Sequence, residues 1–560
     1  MPFLSVGVKK PIKLAFIIAI CVTLVATAFL SYFNYSELLS SQLERSAIQS
    51  QLDELSTQNS NFQKYFNELQ NNYSSFQSML ADLQTRLDNL QSEYDALKSQ
   101  HENLQEEYAE FVLDYQRLRP IASFSYLVFT DGKGNYFAEN GTTRTIDYSG
   151  RNATRVGQNC IDALSESGGR IMFSGTVNLD GPLVILNESG SGLLEICGFG
   201  PSTQLVPSLG SDGIQILGGK AFGYGGLYHV IIRDLVLTGS KEQEGTFMNR
   251  GIYIRDSFDI SLQNIMVFYA NKAGIFIEDS ANVKLDNIYV EGCSGTEYGG
   301  VEPLSGVGIW LSGSKDCYLQ KCYSDTNEIG FLFDSNTETE NIPRNIFLTQ
   351  CEATLSSNKG ISISQVDGFV ISDSLIEGSY EDGIILLDSC RGIIENTFVL
   401  GNVGNGIVIT SQDKDMIQSG IRIKTCIING NGKNGVGVWA KNNKTISQVN
   451  IEECQILNSG SGARGNPNQP ELWDGVNISN NITTGGNCRF ITIEDCSIGN
   501  SAGATPTQNY GIHSLQNSDY IQVFRNKFFQ NIAGDFTLVG YNNYVEDNWD
   551  IDSPLQDTPS

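Results

Sequence analysis

The chain has 560 residues, too many for one ordinary hydrophobic core, so several segments or an elongated repeat are expected. Its formal net charge of −27 argues against a nucleic-acid partner, because the phosphates of DNA or RNA would be repelled. Twelve cysteines over this length are too sparse for a small disulfide-stabilised fold.

An apolar segment near the N-terminus predicts a membrane anchor. Residues 14–33 carry no charge and are long enough to cross a bilayer as a helix. The lysines of residues 1–13 precede this segment, which predicts a cytoplasmic tail and an extracellular location for the chain after about residue 33. The alternative is a signal peptide cleaved near the small-x-small triplet at 26–28, and either route exports the rest of the chain.

A heptad pattern over residues 36–119 predicts a coiled-coil stalk. Apolar residues alternate at steps of three and four between residues 48 and 118, which makes about ten heptads. The polar exceptions Asn59 and His101 both occupy an a position, where a buried polar side chain fixes the register. Because each chain supplies one seam, we expect a parallel homo-oligomer, and bulky aromatic seam residues favour a trimer. Pro120 ends the helix.

Residues 120–550 carry a repeat with the features of a solenoid. A strand of the form Gly-Ile-x-Ile recurs about every 22 to 23 residues in its most regular copies, and a second short strand follows each copy. The copies begin at Gly251, Gly274, Gly308, Gly330, Gly360, Gly383, Gly406, Gly435, Gly475 and Gly511. Alternation within the strands and a constant period predict an all-β parallel solenoid, with residues 551–560 as a C-terminal tail.

A column of small or apolar residues ends the second strand of each coil. Its cysteines are Cys322, Cys351, Cys426, Cys454 and Cys496. Equivalent positions stack inside a solenoid, so we expect buried free thiols that pack as small apolar side chains. The chain has only three histidines and no Cys-x-x-Cys pair, so no metal site is predicted.

The coils resemble the right-handed parallel β-helix repeats of the pectin-lyase-like superfamily over roughly residues 120–550. The stretch 147–186 is similar to the start of its pectate-lyase-like domains, where an α-helix caps the solenoid and a Gly-Gly turn leads into the first strand. The resemblance implies a cap over about residues 120–190, with a helix at 159–164 and the turn and strand at 168–176. Because this fold hosts lyases, hydrolases, epimerases and adhesins, it implies no particular substrate.

Part of the repeat resembles the catalytic region of the polygalacturonase-type hydrolases on this fold. Those enzymes need two acids, because one protonates the leaving oxygen and the other activates water. The candidates at similar positions are Glu381, Asp382, Arg422 and Lys424. Lys359 stands where the first catalytic aspartate is expected, and Asn405 replaces a histidine, so we expect the apparatus to be incomplete.

A calcium-dependent lyase would need clustered carboxylates and a basic residue. Asp256 and Asp279 occupy equivalent positions on successive coils and are flanked by Arg255, Glu278 and Lys284. The alternative is a pair of turn residues, since Asp-Ser recurs at the same place in other coils. The turn is favoured. No cofactor is predicted, and Ca²⁺ is left open for the lyase alternative.

The middle residue of each Gly-Ile-x-Ile strand should face out of the solenoid. It reads Tyr253, Phe276 and Trp310 in successive copies, which predicts an apolar row on the surface. Three explanations are open: sugar rings stack on the row, a neighbouring chain packs on it, or the chain's own loop at 293–307 covers it. A loop or a second chain is favoured over sugar binding.

Asn-x-Ser/Thr triplets mark candidate glycosylation sites on the part of the chain that is predicted to be exported. In the solenoid they begin at Asn140, Asn152, Asn187, Asn443, Asn477 and Asn481.

The combined features predict a single-pass membrane protein with an extracellular β-helix. We expect a structural or adhesive role in which the β-helix binds glycans or envelope components without catalysis. The alternative is an extracellular polysaccharide lyase or glycoside hydrolase.

Overall fold

The computed structural model of the protein contains two compact units, Met1–Arg119 and Pro120–Ser560. In the first unit, the structure describes residues 19–28, 83–87, 89, 91, 92, 98 and 99. In the second unit, it describes residues 124–187, 192–218, 229–239, 248–295, 305–336, 339–411, 418–460, 473–480, 486–501, 507–515 and 518–550.

The described residues of the first unit are all helical. None of the helices described is both long and apolar enough to cross a bilayer. The other residues of the proposed membrane span, 14–33, and of the proposed coiled coil, 36–119, lie outside the described residues. Both assignments therefore stay predictions, as do the roles of Asn59 and His101.

The described part of the second unit contains forty strands, numbered in chain order, one α-helix at Ala153–Ala163 (the cap helix) and a 3-10 turn at Gly200–Ser202. The strands are β1 (Tyr126–Thr130), β2 (Tyr136–Asn140), β3 (Ile146–Gly150), β4 (Gly169–Phe173), β5 (Thr176–Leu179), β6 (Leu183–Asn187), β7 (Leu194–Cys197), β8 (Gln204–Pro207), β9 (Ile214–Gly218), β10 (Val230–Thr238), β11 (Met248–Arg255), β12 (Phe258–Phe268), β13 (Ala270–Glu278), β14 (Ala281–Glu291), β15 (Val307–Ser312), β16 (Lys315–Asp325), β17 (Ile329–Asp334), β18 (Arg344–Thr349), β19 (Glu352–Thr354), β20 (Lys359–Ser364), β21 (Asp367–Ser372), β22 (Leu375–Glu377), β23 (Ile384–Leu387), β24 (Cys390–Glu395), β25 (Phe398–Leu400), β26 (Ile407–Thr410), β27 (Gln418–Lys424), β28 (Ile427–Asn429), β29 (Val436–Ala440), β30 (Thr445–Glu452), β31 (Gln455–Leu457), β32 (Val476–Asn480), β33 (Asn487–Glu494), β34 (Ser497–Gly499), β35 (Tyr510–Ser514), β36 (Ser518–Phe524), β37 (Lys527–Phe529), β38 (Gly534–Thr537), β39 (Tyr544–Glu546) and β40 (Trp549–Asp550).

A helix and a small antiparallel sheet begin the second unit. The cap helix starts earlier than the resemblance implies, because Asn152 caps it by accepting a hydrogen bond from the Arg155 amide at 2.7 Å. The helix packs closely on the first strands of the solenoid, and Gly157 permits this approach. A Cβ atom at this position would lie only 3.0 Å from Leu183 Cδ2 and 3.3 Å from Phe173 Cζ. Strands β1 to β3 pair in antiparallel fashion, and β1 also pairs in parallel with β4, where the solenoid begins.

Three parallel ladders form the solenoid wall. Ladder 1 consists of β6, β9, β11, β13, β15, β17, β20, β23, β26, β29, β32, β35 and β38. Ladder 2 consists of β4, β7, the first halves of β10, β12, β14 and β16, and then β18, β21, β24, β27, β30, β33, β36 and β39. Ladder 3 consists of β5, β8, the second halves of the same four long strands, and then β19, β22, β25, β28, β31, β34, β37 and β40.

Ladders 2 and 3 meet at a bend made by one residue per coil. In the coils from β12 to β25 the bend residues have a positive φ and are Asn264, Asn287, Lys321, Gln350, Asp373 and Asn396. A single left-handed residue turns the backbone sharply without lengthening the coil. The bend residues therefore stack above one another like the strands on either side of them.

The recurring glycine of Gly-Ile-x-Ile is required by close packing. A Cβ at Gly251 would lie 2.5 Å from both the Gly274 carbonyl oxygen and Val267 Cγ1. No larger residue fits unless the next coil moves away, so the glycine keeps the coils in contact.

The five cysteines of the predicted column are buried, as expected, and carry free thiols. Cys454 Sγ accepts a hydrogen bond from the Cys426 amide at 3.4 Å, and Cys496 Sγ accepts one from the Cys454 amide at 3.4 Å. Burial raises the pKa of Cys322 well above its usual range. At Cys322 the buried thiol is therefore a packing group rather than a nucleophile.

Buried asparagines link successive coils through their side-chain amides. The amide nitrogen and Nδ2 of Asn402 both donate to Asn431 Oδ1, at 3.1 and 2.9 Å. Asn431 Nδ2 in turn donates to the Val399 carbonyl at 3.1 Å. Both side chains are inaccessible to solvent, so these bonds satisfy polar groups that water cannot reach.

We predict that Asn431→Ala lowers the free energy of unfolding by about 2 kcal/mol, because it leaves two buried donors of Asn402 without an acceptor. The matched control is Asn450→Ala, since Asn450 faces outward on β30 and its side chain has no hydrogen bond within the described residues. Guanidinium unfolding of the two variants provides the measurement. Equal shifts in the two variants would contradict this role for the buried asparagines.

Candidate functional site

The aromatic row of ladder 1 is in register but buried. Tyr253, Phe276 and Trp310 pair in successive strands, with ring centroids 5.4 and 4.3 Å apart. Their exposed fractions are only 8, 5 and 8%. The rings point out of the solenoid wall as expected, but they are not exposed, because other groups cover them, which agrees with the favoured explanation of a covered row.

Basic side chains and apolar neighbours pack on this row. Arg250 Cζ lies 3.6 Å from the centroid of the Tyr253 ring, and Lys272 Nζ lies 5.8 Å from the ring centroid of Trp310. Val307, the last residue of the loop proposed as a cover, belongs to the same buried cluster. Residues 296–304 of that loop lie outside the described residues. Sugar binding by the row stays a prediction, and the burial of the rings weighs against it.

The carboxylates Asp256 and Asp279 are held by turn contacts. Asp279 is buried and accepts hydrogen bonds of 2.8 to 2.9 Å from the side chains of Asn336, Thr339 and Asn341. Asp256 lies 3.4 Å from the Arg255 guanidinium, and burial raises the pKa of its carboxyl. Within the described ranges, no group of three or more His, Cys, Asp or Glu side chains is placed to hold a metal ion. These contacts favour the turn interpretation.

The hydrolase-like candidates lie on different ladders. Glu381 and Asp382 precede β23 of ladder 1, whereas Arg422 and Lys424 lie on β27 of ladder 2. The two basic side chains pair with acids of the next coil, at 3.5 Å to Glu452 and 3.8 Å to Glu453. The structure therefore does not bring the basic pair to the acidic pair.

The residues that depart from the hydrolase pattern have structural partners. Lys359 Nζ lies 2.9 Å from Glu381 Oε2. Asp382 Oδ1 accepts hydrogen bonds from the amide nitrogen and Nδ2 of Asn405, at 2.8 and 2.7 Å. Asn405 Oδ1 accepts one from the Asn434 amide at 3.1 Å. The hydrolase resemblance predicts a histidine at position 405. The asparagine found there instead connects Asp382 to Asn434 in a column of polar residues.

The candidate glycosylation sites differ in their surroundings. Asn443 is exposed, and its side chain forms no hydrogen bond within the described part of the chain. The side chains that take part in hydrogen bonds are those of Asn140, Asn152 and Asn477. The side chains of Asn187 and Asn481 lie outside the described residues. Glycosylation stays a prediction at all of these positions.

A groove at the bend between ladders 2 and 3 was missed by the sequence reasoning. Its volume is about 310 Å³, and it is lined by Lys321, Tyr323, Gln350, Glu352, Asp373, Ser374, Leu375 and Phe398. Four of these residues pair in register and form one outward column of ladder 3: Tyr323, Glu352, Leu375 and Phe398. Three others are bend residues. The groove therefore runs along the solenoid and crosses several coils.

The groove combines apolar surface with unengaged polar side chains. The apolar surface comes mainly from Phe398, whose side chain is 46% exposed. Tyr323 is more enclosed, and burial raises the pKa of its hydroxyl group. The polar lining groups without a hydrogen bond or ion pair in the described part of the structure are Lys321, Gln350, Glu352 and Asp373. On ladder 2 nearby, by contrast, Asp367 is paired with Arg391. These four lining side chains are thus free to bind a ligand.

The sequence contained a signal for this column. The residue after each member of the buried small-residue column must face outward, and it reads Tyr323 after Cys322, Glu352 after Cys351 and Phe398 after Thr397. The sequence could not indicate that the bend forms a groove there, because that depends on the angle between two ladders.

The family comparison agrees with this architecture. The family model described as "Right handed beta helix region" matches residues 212–349 and 342–464. The predicted fold of the second unit, an all-β right-handed parallel β-helix, is thereby confirmed.

Several solved structures are similar to this chain at low sequence identity. The A-module of the mannuronan C-5 epimerase AlgE6 of Azotobacter vinelandii is 17% identical, with 72% of this chain and 96% of that chain covered and a TM-score of 0.48. Tailspike protein 3 of bacteriophage CBA120 is 12% identical, with 77% and 65% covered and a TM-score of 0.44. PfbA, a surface adhesin of Streptococcus pneumoniae, is 13% identical, with 69% and 90% covered and a TM-score of 0.41.

These likenesses are too distant to transfer an activity to the right-handed β-helix of this protein. No curated protein matches the chain in sequence.

We predict that Trp310→Ala lowers the free energy of unfolding by about 3 kcal/mol, because it empties space in a buried cluster. Trp549→Ala is the matched control, since Trp549 is 64% exposed, and we expect it to change stability by less than about 0.5 kcal/mol. Denaturant unfolding and glycan titration are measured on both variants. Unchanged stability with lost glycan binding in Trp310→Ala would instead assign the row to a ligand.

Proposed function

We propose that the β-helix is a non-catalytic glycan-binding domain and that the groove between ladders 2 and 3 is its binding surface. The observation that carries this proposal is the column Tyr323, Glu352, Leu375 and Phe398, which combines apolar and polar side chains and lies beside unengaged bend residues. Ligand sites combine apolar walls with a few polar groups that fix orientation.

A sugar chain has the complementary chemistry. The C–H face of a pyranose ring packs on an aromatic face, which Phe398 and Tyr323 offer at the two ends of the column. Its hydroxyl groups donate to and accept from side chains such as Gln350, Glu352 and Asp373. Each contact is weak, so affinity requires several contacts along the groove.

Binding without turnover is supported by the state of the candidate acids. Asp279 accepts three side-chain hydrogen bonds, Asp382 accepts two from Asn405, and Glu381 pairs with Lys359. To act as general acid and base, these candidates would have to be free to reach one substrate bond from opposite sides. Carboxylates engaged in turns and coil-to-coil bonds suit a structural role.

The N-terminal segments extend the proposal to the cell surface. The uncharged residues 14–33 would anchor the chain, the heptads of 36–119 would form a parallel trimeric stalk, and the β-helix would lie outside the cell. Trimerisation would present three grooves to one polymer or to the cell envelope, and it would raise the overall affinity by effective concentration.

We predict that Phe398→Ala weakens glycan binding at least about fivefold, because a half-exposed aromatic contact is lost. Phe258→Ala is the matched control: Phe258 is 38% exposed on ladder 2, and its partner in the next coil is already an alanine. A glycan array on the full chain identifies a bound oligosaccharide, which is then titrated against both variants.

The proposal fails if no glycan binds, or if both phenylalanine variants bind like the unaltered protein. Reducing sugar or unsaturated product released by the unaltered protein would refute the claim that the domain is non-catalytic.

We predict that protease added to intact cells removes the β-helix, because the lysines of residues 1–13 should keep the N-terminus in the cytoplasm. An epitope tag at the C-terminus reports the cleavage, and permeabilised cells supply the reference for complete digestion. A tag that is protected in intact cells and digested only after permeabilisation would contradict the proposed topology.

A further inference from the structure

We infer that the groove takes a linear polysaccharide that lacks carboxylate and sulfate groups, laid along the solenoid axis with about one sugar residue per coil. The inference rests on the proposed function and specifies its ligand class. Two observations carry it: the axial repeat of the lining residues and the charge of the groove.

The axial repeat sets the direction of the ligand. Tyr323 pairs with Glu352, Glu352 with Leu375, and Leu375 with Phe398, so the column advances by one coil at each step. Parallel strands lie about 4.8 Å apart, which separates the two aromatic ends by roughly 14 Å. A pyranose residue in an extended chain advances by a distance similar to one coil. A linear oligomer therefore presents a ring to each lining position in turn.

The charge of the groove sets the ligand class. Its lining contains two acids, Glu352 and Asp373, and one base, Lys321. The ladder 2 and ladder 3 segments of the coils that form the groove carry seven acids against four bases (Lys315, Lys321, Arg344 and Arg391), so the local field is negative, like that of the whole chain with its net charge of −27. Carboxylate or sulfate groups on every sugar would be repelled at close range, whereas hydroxyl groups are good donors to carboxylate oxygens.

The first experiment is an oligosaccharide length series on the full-length protein. Neutral β-linked gluco-oligosaccharides of two to six residues are titrated by calorimetry, with oligogalacturonates of the same lengths as the charged probe. We expect affinity for the neutral series to rise up to about four residues, one for each coil of the column, and then level off. We expect the oligogalacturonates to bind at least about fivefold more weakly at low salt.

The second experiment reverses the charge of the groove. In the double variant Glu352→Gln and Asp373→Asn, we expect oligogalacturonate binding to strengthen about fivefold and neutral binding to weaken. Asparagine suits position 373, where φ is +51°, because it tolerates the left-handed conformation. Glu377→Gln is the control, since Glu377 is exposed on β22 of the same coil but does not line the groove.

The outcomes separate the ligand class from the proposed function. Equal or tighter binding of oligogalacturonate that still depends on Phe398 would overturn the ligand class and leave glycan binding by the groove intact. Neutral binding that never increases beyond two residues would overturn the axial placement. If Glu377→Gln gives half or more of the effect of the double variant, which removes twice the charge, the selectivity comes from the general surface field, and the assignment to groove contacts is wrong.

Discussion

Each coil of the β-helix is held to the next by parallel backbone hydrogen bonds, which fix the axial spacing of equivalent residues at about 4.8 Å. This spacing makes every position of a coil part of a column. Inward columns of Ile, Val and Cys fill the core, and the glycine column permits the coils to approach, since a Cβ at Gly251 would collide with the next coil. Outward columns place side chains of successive coils next to one another, so a surface feature formed by them extends over several coils.

The same axial spacing lets polar side chains of one coil form hydrogen bonds and ion pairs with the next coil. A buried Asn402 donates to Asn431 one coil away, and Asn405 donates to Asp382 in the same manner. Acids and bases on the outer wall also find partners in the neighbouring coil, as Arg422 does with Glu452. Most of the predicted catalytic candidates, such as Asp279, Asp382 and Arg422, are thereby engaged in holding coils together. The bend beside Glu352 differs, because the side chains of Lys321, Gln350, Glu352 and Asp373 have no such partners among the described residues.

The aromatic row and the groove show why burial rather than residue type identifies a binding surface. Tyr253, Phe276 and Trp310 look like a sugar-stacking platform in the sequence, yet they form a buried cluster with Val307 and its neighbours. Phe398 lies in a less conspicuous column and is nearly half exposed beside unengaged polar groups. Aromatic side chains on an outward column can form a buried cluster or a ligand-binding surface. The groups that pack on them determine which of the two roles they have.

The sequence by itself determined the parallel β-helix and its inward columns, because the Gly-Ile-x-Ile period and the stacked cysteine positions follow from strand alternation and a constant coil length. It also predicted the anchor and the stalk, which lie mostly outside the described residues. Only the tertiary structure decided that Trp310 is covered, that Asp279 binds turn side chains, and that the bend near Asp373 forms a groove. Periodicity fixes the direction in which a side chain points. What lies in front of that side chain depends on loops and ladder angles, which bring together residues from different coils and leave no local pattern in the sequence.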